Sequence, residues 1–388
     1  MRLRPGDNGM VAGFSSFVHF PPRRCVGGVL HFSRQASMKT IRTASLDRSA
    51  PDLMTLQAAP AAAPTTAATA AALALAALAA SLLPATSVAQ AFPTRPITMI
   101  VPFAPGGSAE VLGREFAIEM TKLLGQNVVV ELRPGAGGNI GAEHVAKQSR
   151  ADGHTILLGS LSVSTNVSLM RLGWDPRKDL VPVAGIATVP NLLVIATDSP
   201  MKSVADLIGA AKVKSGALFF GSSGPGTSSH LAGELFQDRA GVTLTHVPYK
   251  GSGAVYPDLI AGRVNMLFDL AGSAVGQISG GKVRALATTA RKRSPSMPDV
   301  PSISETFPGF EFGSWFAFFA PAATPRDALS TLEQSVIKSM QTERLKTRLS
   351  QIAAEPVPHP GAEFSKFLAN DIERYARLVR EGKLAPLQ

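Results

Sequence analysis

The sequence predicts an α/β protein of two lobes joined by two crossings of the chain. Three observations lead there. From Pro96 onward, short apolar runs rich in β-formers alternate with stretches of helical periodicity, the pattern of a largely parallel sheet covered by helices. Loops rich in Gly or Ser recur between the end of such a run and the start of a helix. The alternation also starts afresh after Asp198 and Pro200, and a further apolar run near 315 precedes a purely helical tail. Residues 92–198 and 314–388 are therefore assigned to lobe 1 and residues 199–313 to lobe 2, with crossings near 197 and 315.

The elements follow in order. Residues 97–103 (ITMIVPF) are the first strand, and in the helix predicted over 108–124 Leu112, Phe116, Met120 and Leu123 recur at helical spacing. A second strand spans 128–132, the turn at 135–139 leads into a helix through 145, and a third strand spans 155–159. Residues 192–197 (LLVIAT) lack alternation and read as a strand buried on both faces. In the second lobe a helix over 203–215 precedes a strand at 217–221, and a helix over 228–240 starts behind a Ser/Thr-rich cap. Strands at 243–247, 264–268 and 283–288 alternate with helices near 254–261 and 274–280. The run WFAFFA at 315–320 is again apolar. Beyond Pro325 the chain is helical, and Phe364, Phe367, Leu368, Ile372 and Tyr375 line one face of the last helix. No fixed-period repeat is visible, which argues against a solenoid.

The first 91 residues belong to neither lobe. The apolar run AALALAALAASLL at 71–83 has signal-peptide length, and Val88-Ala89-Gln90-Ala91 ends in the small-x-small pattern of a cleavage site, placed after Ala91. A bilayer span needs about 20 apolar residues, so an anchor fits less well. The nearest basic residues, Lys39, Arg42 and Arg48, lie far upstream, which a true start at Met38 would partly explain. The single cysteine, Cys25, leaves with this leader, so no lipoprotein acceptor and no disulfide remain. A soluble, monomeric periplasmic protein is expected. The leader holds 8 of the 38 basic and 3 of the 28 acidic side chains, leaving a net charge of +5 on a chain that is 45% hydrophobic overall. Arg291-Lys292-Arg293 is the one dense basic cluster and is too short for a nucleic-acid surface.

Four loops follow apolar strands and open helices: 105–108, 135–139, 160–164 and 222–228. Such loops place unsatisfied N–H groups and the positive end of a helix at a strand end, where an open α/β sheet binds ligands, and so can hold an anion without Arg or Lys. Tight turns and caps would give the same composition. The hydroxyls of Ser108, Ser160, Ser162, Ser222, Ser223 and Thr227 are candidate neutral donors to a carboxylate. Asp269, at the end of the run 264–268, either receives a ligand ammonium or hydroxyl or caps the next helix.

Competing chemistries fit less well. A dinucleotide loop would need a third glycine at 140, where Ile140 stands, and no Walker lysine follows any loop, so no cofactor is expected. A hydrolase using Ser223 with His230 or His246 would need G-x-S-x-G, and Gly221-Ser222-Ser223-Gly224-Pro225 fails at its last position, so no enzyme is expected. His230 in a helix and His246 in a strand suit structural roles. No His/Cys/Asp/Glu group has metal-ligand spacing.

An ordered series of segments resembles the Bug family of extracytoplasmic receptors, the binding component of tripartite tricarboxylate transporters. They are RPITMIVPFAPGGSAE at 95–110, RPGAGGNIGAEHVA at 133–146, DGHTILLGS at 152–160, WDPRKDLVPVAGIA at 174–187, GSSGPGTSSHLAGELF at 221–236, HVPYKGSG at 246–253 and RSPSMPDVPSISE at 293–305. The resemblance covers 92–388 and implies a type II periplasmic-binding fold with Venus-flytrap closure, small carboxylate or related ligands, and membrane transporter subunits or a sensor as partner. It also implies that Ala104, Gly106, Gly107 and Ser108, the Ser160 and Ser162 loop, the loop carrying Ser222, Ser223 and Thr227, and Asp269 line the cleft. Two departures stand out: Glu110 where the family usually has Asp, and Leu270-Ala271-Gly272-Ser273 where it often has Asn and Leu-Pro.

Overall fold

In strand β1 (Ile97–Val101), Ile97, Met99 and Val101 enter one apolar cluster and Ile100 the other, so the strand is buried on both faces and shows no polar alternation. The computed structural model describes residues 70, 71, 91–382 and 384–387. Apart from Ala70, Ala71 and Ala91, the predicted leader lies outside the described residues, Cys25 included.

After β1 come α1 (Ser108–Leu124), β2 (Val128–Leu132), α2 (Asn139–Glu143), β3 (Thr155–Ser160), α3 (Ser162–Leu169) and the 17-residue β4 (Leu180–Ala196). There follow α4 (Val204–Val213), β5 (Phe219–Ser222), α5 (Ser228–Ala240), β6 (Thr245–Pro248), α6 (Tyr256–Ile260), β7 (Met266–Leu270), α7 (Ala271–Ser279) and β8 (Val283–Thr288). The chain closes with β9 (Gly313–Pro321), α8 (Arg326–Met340), α9 (Glu343–Gln351), β10 (Glu355–Pro356) and α10 (Gly361–Arg380).

Two sheets share β4. The first runs β2-β1-β3-β9-β4-β10, with β2, β1 and β3 parallel and the rest antiparallel. The second runs β8-β4-β7-β5-β6, with β5 parallel to both neighbours. Residues Leu180 to Pro190 of β4 pair with β9, whereas Asn191 to Ala196 pair with β7 and β8. The change of strand partner falls at 190/191 and, on the return, at 312/313; the sequence reading places the crossings near 197 and 315. The first half of β4 was not predicted as a strand, because Pro182, Gly185 and Pro190 interrupt it. Prolines and glycines are tolerated in strands at irregularities, and the register shifts at Pro182/Ala184 and Gly185/Ala187.

The final helix buries Phe364, Leu368, Ile372 and Tyr375 as predicted, against Trp315 and Phe319 of β9. In α1 Leu112, Phe116 and Met120 are buried, but Leu123 is 45% exposed because it falls on the outward side of the last turn. A node of hydrogen bonds fixes the region where the chain passes between sheets. Asn191 N–H donates to Thr289 Oγ (2.8 Å), and the Thr289 hydroxyl faces the Phe312 carbonyl at 2.5 Å.

Candidate functional site

Helices α3 and α7 begin at a strand end and α1 and α5 after a short loop from one, and none of their cap residues, Gly107, Leu161, Thr227 and Leu270, gives a side-chain cap. By contrast α4 and α9 are capped by Ser203 and Thr342, which accept from Asp206 N–H and Leu345 N–H. Hydroxyls are abundant at the four uncapped ends, yet they are turned to other partners. Apart from Ser164 N–H, which donates to the Leu161 carbonyl, and Ser273 N–H, which donates to Ser108 Oγ, the first-turn N–H groups there are left available for an acceptor from elsewhere.

The loops of the two sheets meet. Ala104 N–H donates to the Lys250 carbonyl (3.1 Å), and Thr165 Oγ donates to the Gly226 carbonyl (2.7 Å). Ser273 N–H donates to Ser108 Oγ (2.8 Å), which lies 3.2 Å from the Leu270 carbonyl. The contact is too close for side chains at several glycines, most tightly at two. A Cβ on Gly226 would stand 1.9 Å from Asn166 Oδ1, and one on Gly253 would stand 2.0 Å from the Pro105 carbonyl oxygen. The starts of α1 and α7, both electropositive, are thus brought within hydrogen-bonding distance from opposite sheets.

The predicted residues fall into two groups within this ring of loops. Ser160 and Ser162 are buried, and their hydroxyls have each other as partner at 3.3 Å. Ser223 is half-buried, with only a 3.5 Å contact to Thr227 Oγ. Gly107 stands as the uncapped residue before α1. These keep capacity for a ligand. Others are committed to holding the loops: Gly106 N–H donates to Glu110 (2.7 Å), Ala104 N–H is used across the sheets, and Thr227 Oγ donates to the Gly224 carbonyl (2.7 Å). Ser222 is fully buried, accepting from Gly224 N–H (3.1 Å) and bonded to His246 Nε2 (2.6 Å). Asp269 is only 2% exposed and accepts from Tyr256 OH (2.5 Å) and Ser273 Oγ (2.6 Å); it does not cap α7. Burial pushes its carboxyl up, against the hydroxyls of Ser273, Tyr256 and Ser252 that hold it down. Asp269 aims Ser273 at Ser108.

Glu110 works on its own loop. Partial burial raises its carboxyl, but the Gly106 N–H and Arg114 outweigh this and hold it below the usual range. The longer side chain reaches back four residues to Gly106, which accounts for the departure from Asp.

Sequence reasoning missed Thr165, Asn166, Ser252, Tyr256 and Ser273. A signal was present for two of them, since Thr165 and Asn166 are adjacent polar residues in a fully buried stretch of α3, and Asn166 Oδ1 has no hydrogen-bond partner among the described residues.

The two histidines support the second-sheet loop. Their rings stack at 4.1 Å and 18°, and His230 Nδ1 accepts from Gly226 N–H (3.2 Å). Neither is a hydrogen-bond partner of Ser223. The serine that does meet an imidazole, Ser222, has no solvent exposure. Burial, reinforced by His230, lowers His246 to about 3, so it is neutral in the fold while the unfolded chain takes up a proton below about 6.5. Its contribution is present above that pH and is lost as pH falls toward 3. Stability by urea titration is expected to drop by about 3 kcal/mol between pH 7 and pH 4 from this group, and His246→Phe should remove that part of the slope. An unchanged slope in the variant would contradict the assignment.

Among the described residues no cluster of three or more His, Cys, Asp or Glu could hold a metal, and no helix is long and apolar enough to cross a membrane. The family model described as tripartite tricarboxylate transporter family receptor matches residues 112–384. The chain belongs to this receptor family. It is a family of periplasmic solute-binding proteins, not of enzymes. Among its relatives, protein BugT of Bordetella pertussis is 38% identical over 291 residues, 74% of this chain and 89% of that protein. The structure of Rpa4515 of R. palustris with adipate superposes with a TM-score of 0.72 at 36% identity, covering 76% of this chain and all of that one. MatC from Rhodopseudomonas palustris with bound malate gives 0.69 at 32% identity, covering 74% and 100%. The α/β architecture is that of the receptor family's periplasmic binding proteins.

Proposed function

We propose that this receptor captures a small dicarboxylate between its two sheets and presents it to the membrane subunits of a tripartite transporter. The observation that carries the reading is the meeting of four helix starts that lack a cap from their own cap residue, α1 and α3 on one sheet, α5 and α7 on the other, through the contacts of Ser108 with Ser273 and of Thr165 with Gly226. One pair per side suits one carboxylate per side, and an anion offsets the mutual repulsion of positive helix ends. Ser160, Ser162 and Ser223, together with N–H groups of the loops at Gly107 and Thr227, are the proposed contacts; Ala104, Gly106, Ser108, Ser222 and Asp269 hold those loops in shape. The adipate and malate of the two relatives agree with this class of ligand.

In the same reading, the leader is removed after Ala91 and the mature chain is a soluble periplasmic monomer. Lobe 1 comprises 92–190 with 313–388, lobe 2 comprises 191–312, and the lobes close about the two crossings. Thermal unfolding of the exported protein against a library of small acids tests it. C4 to C6 dicarboxylates should raise the midpoint most, by the equivalent of about 2.7 kcal/mol at a hundredfold excess over Kd. A response to monocarboxylates alone, or to none of the acids, would refute the dicarboxylate assignment.

A further inference from the structure

A cavity of about 480 Å³ lies against the crossing strands and reaches Leu161, the residue between Ser160 and Ser162 of the proposed dicarboxylate site. Its apolar floor includes Val189, Pro190, Phe312 and Trp315 from the crossings themselves. One wall is the segment 290–296 that continues β8 of the second sheet, and the facing wall is 350–355, which pairs with the first.

The charges on these walls are complementary to an occupant with two ends. Arg291 is paired with Glu311 (3.2 Å) and Arg293 with Glu305 (2.7 Å). Lys292 on the second-sheet wall and Glu355 on the first-sheet wall both line the cavity, and neither has an ion-pair or hydrogen-bond partner among the described residues. We propose that this cavity is an effector site for an amino acid whose ammonium and carboxylate are separated by an aliphatic chain. The carboxylate meets Lys292, the ammonium meets Glu355, and the chain lies on the apolar floor.

The site is coupled to the first one through the crossings, a point that rests on the closure reading above. The cavity shares Leu161 with the loop that carries Ser160 and Ser162, and its two walls belong to the two sheets, so the spacing of the sheets bears on both sites. An occupant that ties one wall to the other fits the arrangement in which the loops of the two sheets touch, and it strengthens dicarboxylate binding by linkage.

The probe is 6-aminohexanoate, with hexanoate and hexylamine as controls, added to the exported protein in calorimetric titrations. Its own binding heat is measured first, without any dicarboxylate, and then the Kd of the best dicarboxylate is measured with and without it. The expected result is direct binding that requires both charged ends, and a dicarboxylate Kd lowered about fivefold or more. Lys292→Gln and Glu355→Gln should each abolish both effects while leaving the dicarboxylate Kd unchanged in the absence of probe. Absence of binding, competition with the dicarboxylate, equal action in the variants, or equal action by hexanoate or hexylamine would each overturn the proposal. Direct binding lost in both variants, from a protein that takes no dicarboxylate, would uphold the amino-acid site and refute the dicarboxylate site.

Discussion

Gly253→Ala is expected to fold as well as the wild type and to bind its solute about 100-fold more weakly. The reason lies in where the added methyl would go. Its nearest neighbours are the Pro105 carbonyl oxygen at 2.0 Å and Gly106 Cα at 3.1 Å, both from the loop after β1 on the other sheet. Within its own sheet Gly253 meets nothing comparable, and it is not one of the glycines held at positive φ, so alanine costs no backbone strain there. The methyl therefore acts only when the two loop sets approach. If affinity comes from donors on both sides, blocking that approach removes one side's charge-assisted hydrogen bonds. Two such bonds at about 1.5 kcal/mol each correspond to roughly a hundredfold in Kd. Calorimetric titration would give the affinity and a thermal melt without ligand would give the stability. A variant that binds normally would show that the contact between Gly253 and Pro105 is dispensable for the bound state. A variant that melts far below the wild type would show that the contact belongs to the fold and not to closure.

The sheets and helices were largely legible because apolar runs and helical periodicity report burial directly. Strand β1, helix α1, β3 and the buried face of α10 all follow from residues that must leave water. What the sequence hid was pairing. β4 changes partner between Pro190 and Asn191, inside a continuous strand, so the apolar run LLVIAT looks the same whichever sheet it serves. The punctuation at Asp198 and Pro200 is a real turn that ends the strand, beyond the change of partner. The site divides in the same way. Strand-end hydroxyls were visible as helix starts, a local property. That Ser222 would be spent on His246, and Asp269 on Tyr256 and Ser273, depends on side chains 13 to 24 residues away or on another element. Thr165 and Gly226 meet only because two sheets do, and no local rule could announce it.

The C-terminal helix carries the largest expected effect on stability. Asp371, buried in α10, accepts from Ser164 Oγ (2.5 Å) and Trp315 Nε1 (3.0 Å) and pairs with Arg374 (3.0 Å). One carboxylate thus ties α10 to α3 and to the crossing strand β9. Asp371→Ala would leave a largely buried guanidinium without this counter-charge and strip Trp315 Nε1 of its acceptor, while Ser164 keeps the Leu161 carbonyl. Removing one member of a buried pair typically costs about 3 to 5 kcal/mol, so the urea midpoint should fall by that equivalent. Asp371→Asn keeps an acceptor for Ser164 or Trp315 and should cost less. Because α3 carries Ser162 at its start and Thr165 one turn on, the surviving folded fraction should also bind solute more weakly. A loss below about 1 kcal/mol, the range of surface substitutions, would mean that the packing of Phe364 against Trp315 and Phe319, and not this carboxylate, is what holds α10 in place.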